Sequence, residues 1–426
     1  MTRPALLFYG DDFTGATDAL ATAAEGGLRS LLFLRVPDDE LLTRVGALDC
    51  IGIAGAARAM APVEMRVALA PVAALARRLQ PHVLHYKICS TFDSAPGVGN
   101  IATAVAALRG AVARPGVIVL GGQPSLRRYC LFGHLFASGA DGEVVRIDRH
   151  PTMSRHPVTP MHEADLRRHL AAQGLAPLAL LPWTQLEADG DADLLPEGDV
   201  LVDAARPEHV ARIGRAIAQG PVGEGVLVVG PSSVVEAVVA ARPGPGRPAT
   251  QPARKRAAGP VFVLAGSQSP NTARQVAAAT SYQLVHIDAA RLADAAPAGY
   301  LAELVDTCMA HLSAGRPVLA CTMPPPGAAP PATVADPRAL AEAGGRLLAA
   351  VLARAPLARV GVAGGDTSSH AVLGLDAWGL SFMRRLAPGV SLCRLHSDQP
   401  ELDGLELMLK GGQMGGDDLF ERLLAD

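Results

Sequence analysis

The stretch Leu6-Leu-Phe-Tyr-Gly10-Asp-Asp-Phe-Thr-Gly15-Ala-Thr-Asp-Ala-Leu20-Ala-Thr-Ala-Ala-Glu25 decides the fold. A short apolar run at 5–9 stops at a glycine and two aspartates, and a segment with helical periodicity follows at 16–25. An unbroken apolar run fits a strand covered on both faces, and a strand feeding a helix through a glycine turn opens a parallel β/α unit. The same alternation recurs along the chain. Strands are predicted at 30–34, 50–54, 83–87, 117–120, 178–181 and 225–229, then at 261–265, 283–287, 318–322, 360–363, 391–394 and 406–409. Helical periodicity marks 62–79, 163–172, 272–279, 289–310 and 337–355. The expected fold class is α/β, as two three-layer domains with mostly parallel sheets. In such folds ligands gather at the carboxyl ends of strands.

At roughly 100–200 residues per domain, a length of 426 residues suits two domains or one large one. The break falls in Arg242-Pro-Gly-Pro-Gly-Arg-Pro-Ala-Thr-Gln-Pro, where proline and glycine are too dense for helix or sheet. The expected organisation is therefore a first domain at 1–242, a linker at 243–259 and a second domain at 260–426. A further Pro-rich stretch at 323–331 reads as a surface loop. With 38 basic and 41 acidic residues the chain lacks the footprint of a nucleic-acid binder. No apolar run reaches the roughly 18 residues of a membrane span, and the amino-terminal apolar run is too short for a signal peptide. Six scattered cysteines show no metal-ligand spacing. A cytoplasmic protein with reduced thiols is expected. The sequence leaves a homo-oligomer open.

Chemistry is expected where strands end. Gly10 to Thr17 imitates the phosphate loop G-x-x-x-x-G-K-[ST], but Ala16 stands where lysine is needed, and two carboxylates would repel a polyphosphate. Asp11 and Asp12 suit sugar hydroxyls or a base role, unless one simply caps the helix. Arg58 follows the third strand, and Lys87-Ile-Cys-Ser90 follows the fourth. Lysine occupies only three of the 38 basic positions, Lys87, Lys255 and Lys410, which makes Lys87 more informative than one more arginine. Cations beside carboxylates suit a small, anionic, polyhydroxylated ligand. The loop at 146–157 is rich in cations, with His150 and His156 read as structural. In the second half, Gly364-Gly-Asp-Thr367, Ser267 and Gly412 lie on three glycine- or hydroxyl-rich turns at strand ends. Backbone N–H groups in such turns approach phosphate oxygens closely. Asp366 could bind Mg²⁺ or accept a substrate proton.

Together these segments resemble the four-carbon acid sugar kinase family. Its signatures Asp-Asp-x-Thr-Gly, Lys-x-Asp-Ser-Thr, Gly-Gly-Asp-Thr-Ser and Leu-Lys-x-Gly-x-x-Gly are matched, in order, at 11–15, 87–91, 364–368 and 409–415. The resemblance implies an amino-terminal domain that binds the acid sugar and a carboxyl-terminal domain that binds ATP. It carries Asp12, Arg58, Lys87, Ile88, Cys89 and Ser90 over to the substrate, and Ser267, Gly364, Gly365, Asp366, Thr367 and Gly412 to ATP. Mg²⁺ would accompany the nucleotide, and Asp366 and Asp12 are rival proton acceptors. Cys89 departs from the pattern, replacing the family's usual aspartate, and Thr91 is followed by Phe-Asp-Ser rather than Leu-Arg-Gly. The segments at 85–94 and 148–157 look most like a branch associated with apiose breakdown, whose substrate is a branched keto acid sugar. D-threonate, D-erythronate and 3-oxo-tetronate are the alternative acceptors. A dehydrogenase is disfavoured because no G-x-G-x-x-G follows a strand, and a two-lobed ligand sensor remains as another class.

Overall fold

The structure is a computed structural model that describes residues 3–139, 142–156, 158–188, 194–220, 224–242, 256–293, 298–324 and 337–425. The chain divides into two compact units, Met1–Ala249 and Thr250–Asp426. Most of the expected linker (243–255) and most of the Pro-rich loop (325–331) lie outside the described residues. Each described helix falls short of the length and apolarity needed to cross a membrane.

In the first unit the strands are β1 (Leu6–Gly10), β2 (Ser30–Phe33), β3 (Cys50–Ala54), β4 (Val83–Lys87), β5 (Val117–Gly121), β6 (Arg128–Leu131), β7 (His134–Ser138), β8 (Val144–Arg146), β9 (Ala179–Leu181), β10 (Val200–Asp203) and β11 (Val226–Gly230). Eight of them form one sheet in the order β2-β3-β1-β4-β11-β5-β10-β9. Every neighbouring pair is parallel. Helices cover this sheet, so β1, β3, β4, β5, β10 and β11 are buried along their whole length, which explains why they are mostly apolar, although β4 also buries His85 and Lys87 and β10 ends on Asp203. The chain builds outward from β1 through β3 and β2 on one side and resumes with β4 on the other. That reversal opens a crevice at the carboxyl ends of β1 and β4, the usual ligand position in open α/β sheets. There Gly10 pairs with Lys87.

The second unit has β12 (Val261–Ala265), β13 (Gln283–His286), β14 (Val318–Cys321), β15 (Arg359–Ala363), β16 (Gly379–Ala387), β17 (Val390–His396) and β18 (Glu406–Lys410). Their order is β13-β14-β12-β15-β18-β17-β16. The strands from β13 to β18 in that order are parallel, whereas β17 runs antiparallel to both β16 and β18. Here the reversal falls between β12 and β15, again at their carboxyl ends.

The structure departs from the sequence reading in three places. The antiparallel sheet β6-β7-β8 was not anticipated; its strands are short and half-buried, so no apolar run announces them. Strands β10 and β16 were also missed, β16 because Ser381, Arg384 and Arg385 break its pattern. The single helix expected at 289–310 is described as two, Ala289–Ala293 and Ala298–Ser313, with 294–297 outside the described residues.

At the start of β15 the Arg359 side chain is buried. Its Nε donates to Glu406 Oε2 on β18 at 2.6 Å and its Nη1 to the Leu423 carbonyl, tying the strand that leads into Gly364 to its neighbour and to the last helix. Arg359→Met should leave both acceptors without a donor and cost about 2 kcal/mol, the low end for a buried pair because Glu406 is partly exposed. An unchanged urea midpoint of the full chain would contradict this role.

Candidate functional site

At the end of β1 the chain turns through Asp11 and Asp12 into the helix Phe13–Glu25. Asp12 is the helix cap: its backbone is extended (φ −144°, ψ 159°), and its Oδ1 accepts from Gly15 N at 2.9 Å. Its Oδ2 accepts from Thr14 Oγ1 at 2.6 Å and from Arg58 Nη1 at 3.0 Å. Asp12 is thus both a cap and part of a charged cluster. The Asp11 backbone is fixed between strands, its N–H donating to Lys87 O and its carbonyl accepting from Arg58 N. Its carboxylate is gripped two-pronged, Oδ1 by Arg58 Nη2 at 2.7 Å and Oδ2 by Arg58 Nε at 3.2 Å. Both aspartates are buried, so one guanidinium serves two carboxylates.

Lys87, at the end of β4, is also buried, and its Nζ donates to Ile88 O at 3.0 Å. Gly15 makes room for it. A Cβ built there would lie 2.3 Å from Lys87 Nζ and 2.4 Å from Asp12 Oδ1, closer than any side chain can approach. Ile88 N donates to Gly230 O, which anchors the turn after β4 to the end of β11. Ser90 is buried beside it. Thr91 Oγ1 lies 2.9 Å from Cys89 Sγ and donates to Asp93 Oδ1 at 2.6 Å. Because the threonine proton goes to Asp93, the thiol is the donor to Thr91.

Burial and charge separate these groups. Burial pushes the Asp11 carboxyl up to about 6, against the pull of Arg58 and with the help of Asp12. Burial acts on Asp12 in the same sense, but Arg58, Lys87, Thr14 and the Gly15 amide together hold it below the ordinary carboxylate value. Burial, then the charge of Asp93, pushes the Cys89 thiol up to about 11, so it is neutral at physiological pH.

In the second unit the turns after β12, β15 and β18 meet. Gly364 has φ +126°, which favours glycine, and its N–H donates to Lys410 O. A Cβ on Gly364 would lie 3.2 Å from Ser267 N and 3.0 Å from Thr367 Oγ1; one on Gly412 would lie 2.9 Å from Ser267 Oγ. Ser267, Gly364, Thr367 and Gly412 are therefore neighbours, and Gly365 begins the helix Gly365–Leu373 with its N-terminus at this point. Asp366 is in the first turn of that helix, but its side chain lies outside the described residues. Lys410, at the end of β18, is fully buried, its Nζ donating to Thr272 Oγ1 at 2.9 Å and Gln275 Oε1 at 2.6 Å. Burial lowers its pKa to about 7.

The histidines of the 146–156 loop are structural: His150 Nδ1 accepts from the backbone N–H of Thr152 and Met153, and His156 Nδ1 from that of Thr159. Among the described residues no group of three or more His, Cys, Asp or Glu side chains converges to hold a metal. Two surface hollows, one beside Gln80 and Gly225 and one beside Pro260 and Pro317, lie at the amino ends of strands, away from these clusters. One residue near the first site escaped the sequence reading. Arg128 is on β6, and its tandem with Arg127 just past the fifth strand was the available signal, hidden by the abundance of arginine.

Sugar-binding and nucleotide-binding domain models match this architecture unit by unit. The sugar-binding N-terminal domain matches residues 6–238 and the nucleotide-binding C-terminal domain residues 262–420. The chain belongs to the four-carbon acid sugar kinase family. Among its relatives, a 3-oxo-isoapionate kinase of Paraburkholderia graminis is 38% identical over 97% of this chain and 93% of that protein. A 3-oxo-tetronate kinase of Methylobacterium radiotolerans is 31% identical over 97% of each. A crystal structure of a Salmonella typhimurium LT2 protein shares the fold, with a TM-score of 0.76, 24% identity and coverage of 98% of this chain and 97% of that one.

The raised Asp11 pKa has a sign that can be measured. Between the ordinary carboxylate value near 4 and about 6 the folded chain holds a proton the unfolded chain has released, so stability falls as pH rises through that window. The urea midpoint should therefore drop between pH 4 and 6 by an amount that Asp11→Asn removes. An identical pH dependence in wild type and variant would show that Asp11 titrates normally.

Proposed function

We propose that the protein is an ATP-dependent kinase that phosphorylates a hydroxyl of a small acid sugar, with a branched keto acid such as 3-oxo-isoapionate as acceptor. The observation that carries this choice is Cys89, a neutral thiol where the family pattern has a carboxylate, set near Asp93, Arg58 and Lys87. An aspartate at that position demands a hydroxyl donor from the ligand. A thiol tolerates a carbonyl or a branched carbon without one, and a site that leaves a polar group unpaired can discriminate by about 10⁴-fold. The greater identity to the 3-oxo-isoapionate kinase than to the 3-oxo-tetronate kinase supports the same choice.

In this reading the phosphates of ATP lie along Ser267, Gly364, Gly365, Thr367 and Gly412, where turn amides and the N-terminus of the helix Gly365–Leu373 favour anions. Mg²⁺ would arrive on those phosphates, with Asp366 as the carboxylate the loop sequence offers, and would supply neutralisation of charge on the transferring group. Asp12 is a poor proton acceptor, because both its oxygens are occupied and its pKa is held low. Its role is to hold Arg58 and the helix start, which leaves Asp366 as the better base or metal contact. The cytoplasm, where ATP is supplied, is the compartment that suits this reading.

Purified protein offered 3-oxo-isoapionate, 3-oxo-tetronate, D-threonate and D-erythronate should turn over the first with the highest kcat/KM. Best turnover of a tetronate would overturn the argument from Cys89, and turnover of none would overturn the kinase reading. Asp366→Asn should lower kcat by roughly 10²–10⁴-fold with the fold intact. Near-normal kcat with unaltered metal dependence would remove Asp366 from the chemistry.

A further inference from the structure

An acid sugar carries a negative charge, and the site so far described does not obviously hold one. Arg58 directs Nε and Nη2 to Asp11 and Nη1 to Asp12, so its charge is matched inside the protein. Counting Asp93 as well, the turns after β1 and β4 bring three carboxylates against the two cations Arg58 and Lys87. An anionic ligand needs another cation.

Arg128 is placed to be that cation. Its backbone bridges to Gln123, two residues beyond the end of β5, and β5 is separated from β4 only by β11. At about 4.8 Å per strand the turns after β4 and β5 are roughly 10 Å apart, a gap into which an arginine side chain extends. Side chains alternate along a strand, so Arg128 shares a face with Cys130, whose Sγ donates to Asp203 at the end of β10. Arg128 therefore faces the carboxyl edge of the sheet. Its Nη1 donates to the Leu126 carbonyl, its buried Nε has no hydrogen-bond partner, and it makes no ion pair among the described residues. After burial, the neutral thiol of Cys89 and the carboxylate of Asp93 are the neighbours that act most on its guanidinium.

Asp93 is held ready opposite. Among the described residues only Thr91 bonds its carboxylate, at Oδ1, which leaves Oδ2 as an acceptor. Phe92, fully buried, takes φ +58°, a conformation costing about 1 kcal/mol that persists only when its surroundings enforce it. They do: Phe92 N donates to Cys89 O, Ser94 Oγ to Phe92 O at 2.8 Å, and His169 and Gln173 brace Ser94 from the helix Leu166–Ala171 and the residues after it.

We propose that Arg128 and Asp93 form the discriminating wall of the acid-sugar site. The Arg128 guanidinium takes the acceptor's carboxylate, and Asp93 Oδ2 accepts from one of its hydroxyls. This rests on the acid-sugar reading above.

The test uses the full chain, with 3-oxo-isoapionate and 3-oxo-tetronate as acceptors and D-threonate and D-threonamide as competing ligands. Arg128→Gln should lower acceptor kcat/KM about 10²-fold, mainly through KM, with the KM for ATP unchanged. It should also cut the wild-type preference for D-threonate over its uncharged amide from about 10²-fold to below about threefold. Asp93→Asn should leave that preference intact while lowering acceptor kcat/KM about tenfold. Should Arg128→Gln fail to fold, Arg128→Lys, which keeps the charge without the fork, must still raise acceptor KM several-fold. If wild type turns over an acid sugar and the Arg128 variants keep its KM and its acid-over-amide preference, the inference alone fails. If wild type phosphorylates neither these acceptors nor D-threonate or D-erythronate, the acid-sugar reading fails and the inference with it.

Discussion

Two carboxylates buried side by side would ordinarily not both ionise, and at the end of β1 it is Arg58 that lets Asp11 and Asp12 coexist. The fork of the guanidinium, which an ammonium lacks, serves both at once. Much of the first unit's chemistry follows from that contact. Asp12 is free to cap the helix because its other oxygen is neutralised, and Lys87 can pack over Gly15 because a fixed negative charge lies beside it. Removing Arg58 would leave two buried carboxylates with Lys87 as their remaining cation, a loss of several kcal/mol for a buried ion pair.

The two units apply one architectural rule to two kinds of ligand. Each sheet reverses its direction of growth beside its first strand, and each gathers polar turns there. Side-chain charge dominates the first crevice, whereas glycine, serine and threonine turns dominate the second. Fixed carboxylates and guanidinia suit a polyhydroxylated acid, since they can accept from hydroxyls and donate to a carboxylate. Backbone amides and a helix N-terminus suit phosphate oxygens. That division of labour matches the sugar-binding and nucleotide-binding descriptions of the two halves of the family.

Much of this was legible in the sequence, and the reasons are local. β3 and β12 are apolar runs followed by glycine, and their limits fall where the runs end. Asp11, Asp12 and Lys87 stood out because each follows such a run directly. What the sequence concealed depends on distance along the chain. The fork from Arg58 to residues more than 40 positions away needs β1 and β3 paired, which no local pattern reports. Arg128 is on a half-buried hairpin strand with no apolar signature, among many other arginines. Nor does the sequence report the task of Lys410, another of the three lysines: its side chain ties β18 to the helix Pro270–Ala278.

The central claim is that the carboxyl edge of the first sheet, for all its aspartates, is an anion-accepting sugar site. A crystal structure of the protein soaked with 3-oxo-isoapionate tests it most directly. The account predicts the ligand over the ends of β1 and β4, with its carboxylate within about 3 Å of a guanidinium nitrogen and hydroxyls directed at Asp11 or Asp93. An acid sugar bound instead on the turns around Ser267, Gly364 and Gly412, with the first crevice holding only water, would contradict it.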